Sequence, residues 1–161
     1  MDWIEFFEKD LRRNDDQKFG FNEPVSESML IELKEQFGLT QLPEEFESLY
    51  RQTNGVEDFI YIKSLDEFIL SGEFIWSVER VIETNTIKRT SEIDKEIYKT
   101  FDNLFFFADS GGGDHFGYET VNGTFERPDV YFWDHEDDRR VWVAPNIKAF
   151  IEGWVNGTIK V

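Results

Sequence analysis

The residues best equipped for chemistry fall in one stretch, Ala108-Asp109-Ser110-Gly111-Gly112-Gly113-Asp114-His115. A serine that follows an acid and precedes glycines can present a nucleophilic hydroxyl beside backbone N–H donors. The serine-protease arrangement served by such a turn puts the general base and its orienting Asp before the nucleophile. Here both histidines, His115 and His135, follow Ser110, and 161 residues are too few for two barrels. Nucleophilic catalysis by Ser110 is therefore not expected. The glycine triplet invites a second reading, as a phosphate cradle. It lacks the Gly-Lys-Ser/Thr ending and opens into a predicted strand, so no helix N-terminus aims at an anion. A turn between strands is the expectation.

Asp109, Asp114, His115 and Glu119 make the nearest approach to a metal-ligand set, because carboxylates and an imidazole bind divalent cations. In a strand, however, Asp114 and His115 point to opposite faces and reach one ion only across a bulge. A solvated sheet edge explains the group equally well. Asp134, Glu136 and Asp138 imitate the start of a calcium loop, but Arg139 stands where that loop needs Gly and Pro145 where its bidentate Glu belongs. No metal and no cofactor are expected. With 34 acidic residues, many carboxylate pairs can be nominated for acid–base work and none singled out. Asn122-Gly123-Thr124 and Asn156-Gly157-Thr158 match the glycosylation tripeptide, which is read only in a secreted chain. The expectation is a protein that is not an enzyme.

Cysteine is absent, which removes disulfides, thiolate zinc clusters and a Cys nucleophile and fits a reducing compartment. The first ten residues interleave charges with Trp3, Ile4, Phe6 and Phe7, unlike the apolar core of a signal peptide. No apolar run approaches membrane-spanning length, and a cytoplasmic location is expected. The 34 acidic against 17 basic residues give a formal net charge of −17. That field repels nucleic acid and anionic membrane and attracts basic proteins. Phe alone supplies 17 positions, enough apolar surface for a core without staples, so a single domain over residues 1–161 is expected.

The elements that must hold these residues can be read from spacing. Trp3, Phe7 and Leu11, beside Ile4 and Phe6, predict an amphipathic helix over about residues 2–14, ending before Asn14-Asp15-Asp16. Ser26 suits an N-cap with Val25 and Leu30 as a staple across it, and Leu33 and Phe37 carry the stripe to Gly38. Leu42-Pro43-Glu44-Glu45-Phe46 opens a third helix, with Pro at its first position and carboxylates at the positive end of the dipole. Phe46, Leu49 and Tyr50 face inward, Asn54-Gly55 stops the helix, and a strand follows from Val56 to Ile62. Trp76 to Ile82 fits strand or helix, whereas Ser91 to Tyr98 fits a short helix.

Leu104-Phe105-Phe106-Phe107-Ala108 is a continuous apolar run, the pattern of a strand covered on both faces and central in its sheet. Strands at about 114–121, 129–134 and 139–143, parted by Gly111-Gly112-Gly113, Asn122-Gly123 and His135 to Asp138, predict an antiparallel meander. Pro145 reads as the start of a last helix, whose Ile147, Phe150, Ile151, Trp154 and Val155 share one face. The fold class is α+β, a mainly antiparallel sheet flanked by N-terminal helices and a C-terminal helix.

The order of these features resembles the SUKH superfamily, the SMI/KNR-like group that includes bacterial toxin-immunity proteins and a fungal cell-wall synthesis regulator. The resemblance spans most of the chain. It rests on Leu42-Pro43-Glu44-Glu45-Phe46 with Leu49-Tyr50 and Asn54-Gly55, on Leu104 to Asp109, on Phe116-Gly117-Tyr118, on Val130 to Glu136 and on the final Phe150-Ile151 helix. It implies a helix-flanked sheet and a binding role: bacterial members are encoded beside polymorphic toxins, often nucleases, which they bind and neutralise. No catalytic residues carry over, and the recurring positions, here Leu42, Pro43, Asn54, Gly55 and Trp133, read as structural.

A toxin that cleaves nucleic acid needs a basic surface, which an acidic inhibitor can occlude after steered association. A basic toxin domain is then the partner, and the contact residues are Glu44, Glu45 and Glu47 on the third helix and Glu136, Asp137 and Asp138 in the last hairpin. The rival readings are a regulatory scaffold like the fungal relative and a metal-dependent hydrolase built on Asp109 to Glu119.

The five apolar side chains of the last helix are worth roughly 10 kcal/mol as an upper estimate at about 1.5–3 kcal/mol each. That rivals the ~5–15 kcal/mol net stability of a domain. A chain ending before Pro145 should lose its cooperative thermal transition, and a sharp melt of that truncation would refute the argument.

Overall fold

Among the described residues, seven strands divide into two antiparallel sheets rather than one. The computed structural model describes residues 1–11 and 14–161. β1 (Gln17–Phe21), β2 (Val56–Ile62) and β3 (Glu67–Ile75) form the first sheet in the order β1-β2-β3. β4 (Leu104–Asp109), β5 (His115–Glu119), β6 (Val130–Asp134) and β7 (Arg139–Ala144) form the second, in the order β4-β5-β6-β7, which is the expected meander. The helices are α1 (Trp3–Glu5, continued by a π-helical turn over Phe6–Asp10), α2 (Glu27–Phe37), α3 (Glu44–Tyr50), α4 (Val78–Thr90), α5 (Glu92–Ile97) and α6 (Ile147–Val155). None of the described helices is long and apolar enough to cross a membrane.

Local signals located most helix ends. Ser26 accepts from the Met29 N–H at 3.3 Å, Val25 and Leu30 are both buried, and Gly38 takes the left-handed conformation that ends α2 at φ 62°. Ser91 caps α5 through the Asp94 N–H at 3.1 Å. Several expectations about the helices need correction. The first helix is α-helical only over Trp3–Glu5, and the π turn that follows lets Phe6 and Phe7 both enter the core. Leu11 is already extended, and the end of the predicted helix falls on residues 12–13, outside the described residues. Pro43 stands one position earlier than expected, as the cap of α3. The cap of α6 is Asn146, whose Oδ1 accepts from the Ala149 N–H at 2.8 Å, and not Pro145. In α6 only Ile147, Phe150 and Ile151 are fully buried, and Trp154 and Val155 are partly exposed. The ambiguous stretch from Trp76 resolves as helix from Val78 onward.

One core joins the two sheets. Phe7 packs edge-on against Phe19, Phe19 stacks on Phe74, Phe74 stacks on Phe150 of α6, and Phe150 meets Phe107 of β4, with centroid separations of 4.8, 5.7, 6.2 and 5.7 Å. On one face of the second sheet Phe105, Phe107, Phe116 and Tyr118 lie under α2, α3 and α6. The other face carries Phe106, His115 and Trp133 under Trp76, Tyr98 and Phe101. Gly117 has to be glycine, because a Cβ there would stand 2.4 Å from the Phe105 carbonyl oxygen.

The largest correction concerns β4, which is an edge strand and not a central one. Its five apolar residues are buried all the same, because side chains of α4 close its outer edge. Asn85, 1% exposed, donates to the Phe106 carbonyl and accepts from the Phe106 N–H, both at 2.8 Å. Arg89 donates to the Leu104 carbonyl at 2.7 Å, and the Trp76 N–H reaches the Phe107 carbonyl at 2.9 Å. One primary amide thus replaces the missing neighbour strand. Asn85→Leu strands a buried donor and a buried acceptor and should lower stability by about 2–4 kcal/mol. Urea unfolding measures this, and a loss below about 0.5 kcal/mol, the range of unremarkable surface substitutions, would show that the edge needs no partner.

Candidate functional site

The Trp76–Phe107 hydrogen bond is the last point at which the sheets touch side by side. Beyond it, Ser71 to Phe74 of β3 draws away from the turn after β4, and a cleft of about 550 Å³ opens between them. Arg80 of α4 lies against its wall, 4.7 Å above the Trp76 ring. Its guanidinium bonds Glu73 Oε2 at 3.2 Å and also Asp109 Oδ2. Asp109 Oδ2 further accepts from the Trp76 indole N–H at 2.9 Å, and Oδ1 accepts from the Gly111 N–H at 2.8 Å. One cation is thus shared by two carboxylates. With Asp58 also in the lining, the cleft is acidic.

His115 shares β5 with the expected metal cluster but turns the other way. Its ring sits among Trp76, Phe106 and Trp133 at centroid distances of 5.1, 5.2 and 5.3 Å, and its Nδ1 is buried without a partner. Burial first, and then the positive charge of Lys88, push its pKa down to about 4. His115 is half-buried and also lines the cleft, and an imidazole that stays neutral to that pH packs as an aromatic ring and is a poor proton acceptor at neutral pH.

Asp114 instead joins Ser110 and His135. Ser110 Oγ donates to Asp114 Oδ2 at 3.1 Å, and the His135 Nδ1 lies 2.6 Å from Asp114 Oδ1. Burial alone would raise the Asp114 pKa, but hydrogen bonds from His135 and Ser110 hold it below the usual carboxylate range. The same bond to Asp114 raises that of His135. The carboxylate therefore sits between the hydroxyl and the imidazole, an order that gives Ser110 only a weakened base. The expected ligand set does not assemble: Asp109 turns to Arg80, His115 packs half-buried among Trp76, Phe106 and Trp133, and Glu119 lies at the far end of β5. Asp114, Asp134 and His135 do bring ligand atoms within 4.8 Å of one another. Each of those carboxylates already serves protein donors, Asp134 accepting from the Glu136 N–H at 2.9 Å and from Arg139 at 3.0 Å. No sequence signal linked Asp114 to His135, which the β5–β6 pairing brings together from 21 positions away.

The six carboxylates expected to meet a partner fall into two kinds. Glu44, Glu136 and Asp137 are exposed. Glu45 is half-buried and accepts from the Lys148 N–H at 3.4 Å, and Glu47 pairs with Arg51 at 2.6 Å. Asp138 accepts from the Lys99 N–H and the Trp133 indole, both at 2.9 Å, and from Arg140 at 3.2 Å, so it serves the fold. The groups lie on opposite sides of the second sheet, since Phe46 of α3 packs on the Phe105 face while Trp133 belongs to the other.

The architecture is thus α+β, with two antiparallel sheets and an acidic cleft between them. The sequence model of the SMI1 / KNR4 family (SUKH-1) matches residues 24–153. The chain belongs to that family, within the SUKH superfamily. The match runs from just before the Ser26 cap into α6 and leaves out α1 and β1. No curated protein matches the chain.

His115 yields a pH prediction. In the unfolded chain it takes a proton near pH 6.5, and in the fold near 4. Between those values the unfolded state binds more protons, so stability falls as pH falls, by on the order of 3 kcal/mol in full. His115→Leu cannot charge, and its unfolding free energy should lack this part of the fall between pH 6.5 and 4. Identical pH slopes for both proteins would contradict the assignment.

Proposed function

We propose that the chain is an immunity-type binding protein that neutralises a basic toxin domain by covering it. Family membership supports a binding role, and the observation that carries the finer reading is where the positive charge goes. Arg51 pairs with Glu27 and Glu47, Arg80 with Glu73 and Asp109, Lys88 with Asp94, and Lys148 with Glu152. Arg139 and Arg140 are likewise held by Asp134 and Asp138. With 34 acidic residues against 17 basic ones, such pairing leaves a surplus of carboxylates facing solvent. That surface accelerates encounter with a basic domain and repels nucleic acid, which competes for the same toxin surface.

Glu44, Glu136 and Asp137 are exposed and placed to steer, Asp137 while accepting from the Arg139 N–H of its own turn at 3.0 Å, whereas reversing Glu45, Glu47 or Asp138 would test the fold as much as the interface. Co-expression with a toxin encoded beside this gene should rescue growth. The triple variant Glu44→Lys, Glu136→Lys, Asp137→Lys should slow association with that toxin about tenfold or more at low salt, and the difference should shrink at high salt. Absence of both rescue and binding would remove the immunity reading.

A further inference from the structure

The molecule treats its strand edges unequally. The outer edge of β4 is sealed by Asn85 and Arg89, but the first sheet ends at β3, and among the described residues no strand pairs with its other side. β3 runs close to β4 at its C-terminal end, and among the described residues the backbone hydrogen bond between them falls just past it, from the Trp76 N–H to the Phe107 carbonyl. Its nine residues make it the longest strand, and an unpaired edge of that length is a template for an added strand.

Three observations single out this edge. The cleft of about 550 Å³ lies alongside Ser71 to Phe74, so chain entering there already runs beside β3. Ile69 and Leu70, 37% and 54% exposed, lie side by side in sequence and so on opposite faces of the strand, with Leu65, 58% exposed, in the turn before them. Leu70 is paired with half-buried Phe59, and Ile69 with half-buried Ile60, so an added strand finds apolar side chains on both faces. Charge then selects the occupant. Glu73, Asp109 and Asp58 face the cleft against Arg80, and at the hairpin tip Asp66 and Glu67 outnumber Lys63, while Lys18 is held over the Phe59 and Phe68 rings. A second copy would bring −17 against −17, whereas a basic segment meets opposite charge. The other edge with exposed apolar residues, β7 with Trp142, carries Arg139 and is bordered by the chain's own Thr158 to Val161.

We propose that an extended, basic and apolar segment of the partner adds to the outer edge of β3, entering at the cleft and running towards the β2–β3 turn. The inference rests on the basic-partner reading and names the surface that would serve it.

The probe is a peptide of about ten residues alternating lysine and valine, together with the same peptide N-methylated along its central residues, which keeps charge and side chains but cannot complete a ladder. The unmodified peptide should slow amide hydrogen exchange at residues 67–72, and the methylated one should bind at least about tenfold more weakly, the loss of two hydrogen bonds. Leu70→Lys, at an exposed position where the melting midpoint should stay within a degree or so of the parent's, should weaken binding by about the same factor. Glu126→Lys, a larger change in charge at an exposed position beside Glu119, away from the cleft, should leave binding of this peptide nearly unchanged. Equal binding of the two peptides, greater damage from Glu126→Lys, no binding at millimolar peptide, or a dimer that Leu70→Lys dissolves would each overturn the inference. If it falls while toxin rescue persists, the immunity reading stands with docking elsewhere. If rescue fails while the peptide still adds to β3, the surface stands without that function.

Discussion

Burying the outer edge of an edge strand requires a partner for every main-chain group on it, because each stranded N–H or C=O costs about 1–3 kcal/mol. Asn85 meets that requirement for β4, and much of the architecture follows from how it does so. α4 runs along the strand in the opposite direction. Arg80 bonds Asp109, Asn85 bonds Phe106, and Arg89 bonds Leu104. The helix is therefore fixed in register as well as position. Its N-terminal turn lands on Trp76 and Asp109, where the first sheet hands over to the second. Past that point the cleft begins, with Trp154 of α6 among its lining residues.

The two histidines show how differently one residue type behaves on the two sides of a strand. His115 faces the aromatic layer, where burial makes its charged form unfavourable. His135 sits in the next turn, where the Asp114 carboxylate favours the charged form. Their effects on stability oppose each other. The neutral core ring disfavours acid, while the contribution of the His135–Asp114 pair is present below the ordinary His pKa and fades as pH rises through the raised one. Because His135 is largely solvated, its share is screened. Neither imidazole is placed to take a proton from Ser110, so the most suggestive stretch of sequence resolves into a turn tied together by its own hydrogen bonds.

What could be read from sequence was what sequence encodes locally. Ser26, Gly38 and Ser91 mark helix ends through contacts within a few residues. The strands of the meander declared themselves by apolar runs between turn residues. Non-local facts stayed hidden. The run Leu104 to Ala108 says that both faces are covered, but it does not say whether a strand or a side chain covers the edge. β1 was missed because it is short and partly exposed, and β3 because Ser71-Gly72 interrupts it where its register against β2 shifts. Asn85 reads as one more polar position on a charged helix, since its function exists only once β4 lies beside it. The six candidate carboxylates looked alike in sequence, and only the fold separates Asp138, held by three donors, from Asp137, which faces solvent.

An open edge is hazardous for a protein on its own, since identical edges pair and aggregate. This chain leaves β3 open while bearing a net charge of −17. The two features make sense together. On the proposed reading, like charge opposes the approach of a second copy without any device on the strand itself, and a partner of opposite charge meets no such barrier, so the same charge that disfavours self-pairing favours the binder. Electrostatic selection acts over a Debye length of about 8 Å at physiological salt, whereas main-chain pairing acts only at contact. On the proposed reading, charge decides which molecules arrive and the edge decides which remain. Raised salt should then erode the rate of arrival more than the lifetime of the complex.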